Sequence, residues 1–251
     1  MKNFGKKVFL AVLLAPLAGA MAAEDVKLDR APIDSHNVIS LQRGAQVFVN
    51  YCIGCHSTSY MRYNRLQDLG LSEQQIRDNL IFTGAKVGEL MKNAIDPTDA
   101  KEWFGAPPPD LTVVARSRSS SAGSGADWLY TYLRSFYRDP SRLGGWNNVV
   151  FPNVGMPHAL YQLQGEQVLK IEKAEGPGYP IEVQRLALER PGTMTPLEYD
   201  RLVADLVNFM SYMAEPASDE RKRIGIYALL FLGVLFVLAF LLKKEYWKDV
   251  H

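Results

Sequence analysis

Cysteine is scarce: 251 residues contain two. That excludes a disulfide-rich secreted scaffold and a zinc site built on two cysteine pairs. Neither sign of charge dominates. Lys+Arg 28 against Asp+Glu 27 gives a net charge of +1, so no basic field exists to grip nucleic acid. Histidine is also sparse, at four. Hydrophobic residues are not: they make up 47% of the chain, against 22% charged. This is globular composition, and it excludes a disordered or fibrous chain. The length suits one domain of ordinary size or two small ones.

The two ends carry apolar runs of different kinds. Lys2, Lys6 and Lys7 precede an apolar stretch from Val8 to Leu17, followed by Ala20-Met21-Ala22. This order of basic, apolar and small residues is that of a secretory signal peptide, expected over residues 1–22 with cleavage after Ala22. The run is too short to span a bilayer, and it lacks the Arg and Ser of a mitochondrial leader. Removing it would leave 25 basic residues against 27 acidic. At the other end, Ile224 to Leu242 is nineteen residues without a charge. As a helix this is roughly 28 Å long, enough for the hydrocarbon core. Three basic residues flank it on each side, so their count does not orient it. Tyr246 and Trp247 suit the membrane interface. The signal peptide sets the topology: residues 23–216 form an exported domain, and 217–251 an anchor with a short cytoplasmic tail. In a bacterium this places the domain in the periplasm, on the inner membrane.

Between the ends, helical signals prevail. Leu41 to Tyr51 reads as a short helix. Ser72-Glu73-Gln74-Gln75 is a capping box opening a helix over 73–80. Ala106-Pro107-Pro108-Pro109-Asp110 breaks the chain, and the Ser/Gly-rich stretch 117–126 reads as a surface loop. Asp127 is expected to cap a helix through about Arg138, and 141–160 reads as loop. Alternation around Glu175-Gly176-Pro177-Gly178 suggests a small β-hairpin within 161–190. Thr195-Pro196-Leu197-Glu198 starts a helix running to about Ala214. Glu215-Pro216 then links it to the anchor.

Both cysteines fall in Cys52-Ile53-Gly54-Cys55-His56. Cys-x-x-Cys-His is the attachment pattern of a c-type haem. One short turn presents two thiols to the two vinyl groups, and the adjacent imidazole reaches the iron. A thioredoxin-like dithiol needs a βαβ context that is absent here. A zinc site needs four ligands, and a disulfide across two residues would be strained. Gly44 lies eight residues before Cys52 and Phe48 four before, on one helix face. Gly44 permits close approach of a second helix. The expected partner is the terminal helix, with Leu202, Leu206, Phe209 and Met210 on its apolar face. This arrangement resembles class I c-type cytochromes, in which the first and last helices cross beside the haem. A low-spin haem needs a sixth ligand. Met156, in the loop Asn153-Val154-Gly155-Met156-Pro157, is the leading candidate, because Met/His ligation is the cytochrome c pattern. Met194 and His158 are its rivals. Met210 and Met213 read as core, Met61 as too near His56, and His251 as cytoplasmic.

The chain resembles the cytochrome c1 family, the haem-bearing subunits of cytochrome bc1 complexes. Leu41 to Phe48 with Cys52 to Ser57 matches the haem-attachment region. Pro108-Pro109-Asp110-Leu111 with Arg116 and Arg118 matches the proline segment. Phe151-Pro152 and Met156-Pro157 match the axial-ligand loop. Ala214-Glu215-Pro216 through Arg223 matches the run into a single C-terminal anchor. The resemblance implies a mainly α, class I cytochrome c-like exported domain with a small β-hairpin insertion and one transmembrane helix. It implies one covalent haem, with iron held by His56 and Met156. It assigns Pro109 a carbonyl-bearing segment over the imidazole, and Arg118 the haem propionate, with Arg116 as rival. Trp128, Phe151 and Val154 become pocket walls. The implied work is electron transport in a respiratory chain, with no bond-making catalysis by this chain. The electron comes from a Rieske iron–sulfur protein and goes to a soluble or tethered cytochrome c, with cytochrome b alongside. Other membrane-tethered monohaem cytochromes, and a haem peroxidase, are the competing readings. The acidic insertion of bovine-like members is absent, so no docking residue carries over.

Overall fold

The computed structural model describes residues 27–175 and 180–249. The signal-peptide expectation for residues 1–22 and the placement of His251 fall outside the described residues. Helix α1 spans Val38–Tyr51 and begins before Leu41, because the Asn37 side chain accepts a hydrogen bond from the Ser40 N–H and caps it. Its buried face carries Leu41, Gly44, Ala45, Phe48 and Val49, the spacing of an amphipathic helix. Helix α7, Pro196–Ala214, opens with the expected capping box between Thr195 and Glu198. It buries Val203, Leu206, Val207, Phe209, Met210 and Met213, while Leu202 is half-buried.

These two helices cross where Gly44 meets the Asp205 carbonyl, and the rings of Phe48 and Phe209 lie 5.7 Å apart. Polar ties fix the crossing. Arg43 Nε donates to Asp205 at 2.6 Å. Asn208 is 1% exposed and donates to the Asp34 carbonyl and to Ser40 Oγ. Its Oδ1 accepts the Asp34 N–H. The buried amide is thus satisfied on both ends, as a buried polar group must be.

The segment between them is a chain of short elements. Strand β1 (Thr58–Arg62) pairs antiparallel with β2 (Leu90–Met91), with the 3-10 turn Tyr63–Leu69 and helix α2 (Glu73–Leu80) between. Ser72 and Gln75 form the capping box of α2. Helix α3 (Pro97–Phe104) stops at Gly105, which takes φ 80°, a left-handed conformation suited to glycine. Pro107–Pro109 follow. Helix α4 (Val114–Ser117) leads through a loop to α5 (Gly125–Arg134).

The structure corrects the expected helix 127–138. Ser124, not Asp127, caps α5: Ser124 Oγ accepts the Asp127 N–H while Asp127 accepts the Ser124 N–H. The helix ends at Arg134, and Phe136–Arg138 form strand β3, paired antiparallel with β4, Trp146–Asn148. The region 141–160 is therefore not loop throughout. The short helix α6 (Tyr161–Gln164) precedes the hairpin of β5 (Gly165–Glu175) and β6 (Pro180–Pro191), which is present as expected and longer than a small turn.

Helix α5 packs on α7. The Tyr199 hydroxyl donates to the Leu133 carbonyl at 2.8 Å, and Arg134 bridges Asp200 and Asp29. After Glu215 and Pro216, helix α8 runs Ser218–Tyr246. Among the described residues it is the one helix long and apolar enough to cross a membrane, with mean hydropathy 2.8 over its most apolar window. Glu215 joins the two parts, accepting from Arg116 at 3.2 Å and Arg221 at 3.0 Å. The architecture is the mainly helical one expected, with two-stranded hairpins and a C-terminal apolar helix.

Candidate functional site

Helix α1 delivers the Cys-x-x-Cys-His turn. Its last bonds run from the Cys52 and Ile53 N–H groups to the Phe48 carbonyl. The chain then folds tightly, with the Cys55 and His56 N–H groups both donating to the Cys52 carbonyl. Asn93 Nδ2 donates to the Cys55 carbonyl, and Asn93 is paired in turn with Ser57 through two hydrogen bonds. One turn thus carries both thiols and the imidazole. Both cysteines are free thiols, Cys52 half-buried and Cys55 exposed. Burial, and then the neighbouring Cys55, push the Cys52 thiol up to about 12.

His56 is 9% exposed, and its Nδ1 lies 2.8 Å from the Pro109 carbonyl. Nδ1–H must be the donor, because the carbonyl only accepts. Nε2 then keeps its lone pair, the tautomer a metal ligand requires. Burial lowers the His56 pKa, against the opposing pull of the Pro109 carbonyl and Asp110. The imidazole is therefore neutral at pH 7. The proline segment is itself pinned to β1. Leu111 N–H donates to the Ser57 carbonyl, Ser59 N–H to Asp110 Oδ2, and the Thr112 N–H and hydroxyl to Asp110 Oδ1.

A second cluster gathers around Met156. The Tyr132 hydroxyl donates to the Met156 sulfur at 3.3 Å. Trp128 stacks on Tyr132 with centroids 4.7 Å apart, and Phe151 meets Trp128 edge-on at 6.4 Å. The Arg118 guanidinium lies 4.5 Å from the centre of Trp128 and 5.5 Å from that of Phe151, within the range of cation–π attraction. Val154 is buried and Phe151 is partly exposed. Arg116 does not join this group; it reaches Glu215 instead.

The rival ligands have surroundings of their own. His158 is 3% exposed, its ring parallel to Phe136 at 4.8 Å and edge-on to Trp146 at 5.0 Å. Burial pushes its pKa down to about 4. Met194 lies just before α7, its N–H bonded to the Leu163 carbonyl. Met61, Met210 and Met213 are buried core residues. His36 lies 3.9 Å from Asp219 near the start of α8.

Several supporting residues escaped the sequence reading. Asn148 is fully buried. Its Nδ2 donates to the Tyr132 carbonyl, and its Oδ1 accepts the N–H groups of Val150 and Phe151. Asn147 Oδ1 accepts the Asn153 N–H, and Asn153 holds φ 63° while Arg142 bonds its carbonyl. Asparagine tolerates that left-handed conformation better than most residues. These two asparagines shape the loop that carries Met156. Tyr132 lies four residues after Trp128, a helical spacing that places both on one face of α5. Taken together, two free thiols, an imidazole of fixed tautomer, a thioether and an arginine over an aromatic wall form a donor set that fits a c-type haem.

Comparison with known proteins agrees in kind. A family profile described as "Cytochrome C1 family" matches residues 29–169 and 192–250. The unmatched stretch takes in most of the β5–β6 hairpin. Cytochrome c1 of Allochromatium vinosum is 52% identical over 249 residues, 98% of this chain and 100% of its own length. A Nitrosomonas europaea protein named "Ammonia monooxygenase gamma subunit" is 52% identical over 246 residues, 98% of each chain. The mitochondrial cytochrome c1 haem protein of Neurospora crassa is 27% identical over 83% of this chain and 61% of its own.

Proposed function

The chain belongs to the cytochrome c1 family, and from that premise we propose how its residues do the family's work. It carries one covalently bound c-type haem and is the electron-transferring c1 subunit of a bc1 complex, held by a single C-terminal membrane helix. When bound, the haem supplies a one-electron iron couple, whose potential Met/His ligation sets high. In our reading, Cys52 and Cys55 form the thioethers. His56 presents Nε2, held in that tautomer and orientation by the Pro109 carbonyl. Met156 would supply its thioether sulfur as the second protein ligand to the iron. Arg118 meets a propionate, while Arg116 is engaged by Glu215. Trp128, Phe151 and Val154 exclude water from the pocket.

The same reading places the domain on the periplasmic side of a bacterial inner membrane, after removal of residues 1–22. There it stands beside cytochrome b, accepts an electron from the Rieske iron–sulfur protein and passes it to a cytochrome c. The monooxygenase name printed for the Nitrosomonas relative belongs to that protein. The observation that carries the present reading is the Cys52–His56 turn with His56 Nδ1 committed to Pro109.

Spectroscopy of variants tests the ligand assignment. Met156→Ala should keep covalent haem, lose the ferric sulfur–iron charge-transfer band and bind carbon monoxide. Met194→Ala and His158→Ala should keep the band. A band that survives in Met156→Ala and vanishes in Met194→Ala moves the ligand to Met194.

A further inference from the structure

We propose that Tyr132 is a positioning residue for the iron's thioether ligand: its phenol holds the Met156 sulfur by hydrogen bond and raises the reduction potential of the site. The inference rests on the reading of Met156 as axial ligand.

The geometry is fixed at both ends. The Tyr132 O–H donates to Met156 Sδ at 3.3 Å. The ring cannot swing away, being stacked on Trp128 at 4.7 Å and 12° on one side and met edge-on by Phe136 at 5.0 Å on another. The backbone is tied to the same loop that carries the acceptor. Asn148 Nδ2 donates to the Tyr132 carbonyl at 2.8 Å, and Asn148 Oδ1 receives the N–H groups of Val150 and Phe151. Donor and acceptor are therefore locked in register by one buried amide. Ring packing alone does not require the hydroxyl, since a phenylalanine would fill the same stack.

The chemistry follows from the acceptor. A thioether sulfur has two lone pairs. One is left for a metal when the other accepts the phenol proton. Sulfur is a weak acceptor, but the bond draws electron density from it. A poorer donor stabilises ferric iron less than ferrous iron, because ferric iron is the more demanding acceptor of charge. The phenol also limits rotation about the Met156 side chain, which is flexible by nature.

The test uses the haem-loaded full chain in detergent, with Tyr132→Phe, Tyr132→Leu and Met156→Ala read side by side. Tyr132→Phe should keep the ferric sulfur–iron band and the melting temperature. At a fixed applied potential its reduced-to-oxidised ratio should fall about threefold, the lower end of what one net hydrogen bond is worth. For a one-electron couple that is a drop of ~28 mV. Tyr132→Leu, which also loses the stack, should lower both potential and melting temperature. An unchanged potential in Tyr132→Phe, with the band lost in Met156→Ala, overturns the role of the phenol and leaves the ligand standing. A band retained in Met156→Ala overturns the ligand assignment and this inference with it.

Discussion

Gly44→Ala probes the helix crossing that carries the attachment turn. A Cβ built on Gly44 would lie 2.0 Å from the Asp205 carbonyl oxygen, 2.7 Å from its carbon and 2.7 Å from Phe209 Cβ. Two of these atoms are backbone, so no side-chain rotation relieves the clash. Restoring an ordinary contact of about 3.5 Å means moving α7 away from α1 by roughly 1.5 Å. The shift would loosen a seam whose Leu41, Phe48, Val203, Leu206 and Phe209 are buried. Overpacking of this kind costs about 1–3 kcal/mol, and a backbone clash belongs at the top of that range. Alanine recovers about 1 kcal/mol of helix propensity over glycine. The net loss is then about 2 kcal/mol, which in a domain of ~150–250 residues lowers the melting temperature by about 4–8 °C. Far-UV circular dichroism of the haem-loaded protein in detergent measures it. Gly88→Ala is the control, because nothing lies within 4 Å of a Cβ there. A Gly44→Ala protein that melts with or above the parent would refute the close crossing.

Three further outcomes are expected. Arg118→Ala should lower the haem potential and increase solvent access to the pocket, read by redox titration, whereas Arg116→Ala should leave the potential alone because its partner is Glu215; the reverse pattern would exchange their roles. A chain ending at Pro216 should be a soluble, haem-loaded domain after expression with the maturation machinery, since α7 is complete at Ala214 and α8 contributes no buried residue; membrane retention in the absence of other subunits would contradict this. Asp127 should give the protein part of its acid sensitivity: burial pushes its carboxyl up, but hydrogen bonds from Ser124 and the Ala31 N–H outweigh it and hold the folded value below the usual range. Its contribution is therefore complete above the unfolded value of about 3.9 and fades as pH falls through the folded value; Asp127→Asn should shrink the stability difference between pH 7 and pH 3 in denaturant titrations, and parallel curves would rule the group out.

The helices that place the site were legible because their signals are local. The capping boxes at Ser72 and Thr195 are four-residue patterns, and both appear with the expected hydrogen bonds. The Gly44 and Phe48 spacing announced a close helix partner, and the apolar stripe of 196–214 supplied it. The errors were at boundaries. Aspartate favours the cap position, but Ser124, three residues before Asp127, competes for the same role and wins. The two then form one reciprocal box, in which Asp127 serves as the third helical residue. Phe136 to Arg138 continue the helical composition of 127–134, and only their pairing with Trp146 to Asn148 makes them strand. That pairing joins residues with no local signal of partnership.

The pocket divides along the same line. Cys52, Cys55 and His56 are adjacent, so their chemistry is written in one short motif. Met156 and Arg118 belong to segments far apart in the chain, and each has a rival: Met194 or His158 for the first, and Arg116 for the role that the family resemblance gives the second. The contacts on which our proposed assignment rests are tertiary: Arg118 over Trp128, Arg116 on Glu215, Met156 beneath the Tyr132 hydroxyl, and His158 enclosed by Phe136 and Trp146. Asn147 and Asn148 show why such residues escape a reading of sequence. In a Gly/Pro/Asn-rich stretch, asparagine signals a loop, but both lie in strand β4. Asn148 is fully buried and spends both ends of its amide joining α5 to the Met156 loop. A buried amide is costly unless satisfied on both sides, so that position is fixed by partners supplied from α5 and from the loop itself. The residues around the Met156 thioether are thus determined by the fold, whereas the residues proposed to attach the haem are determined by the motif.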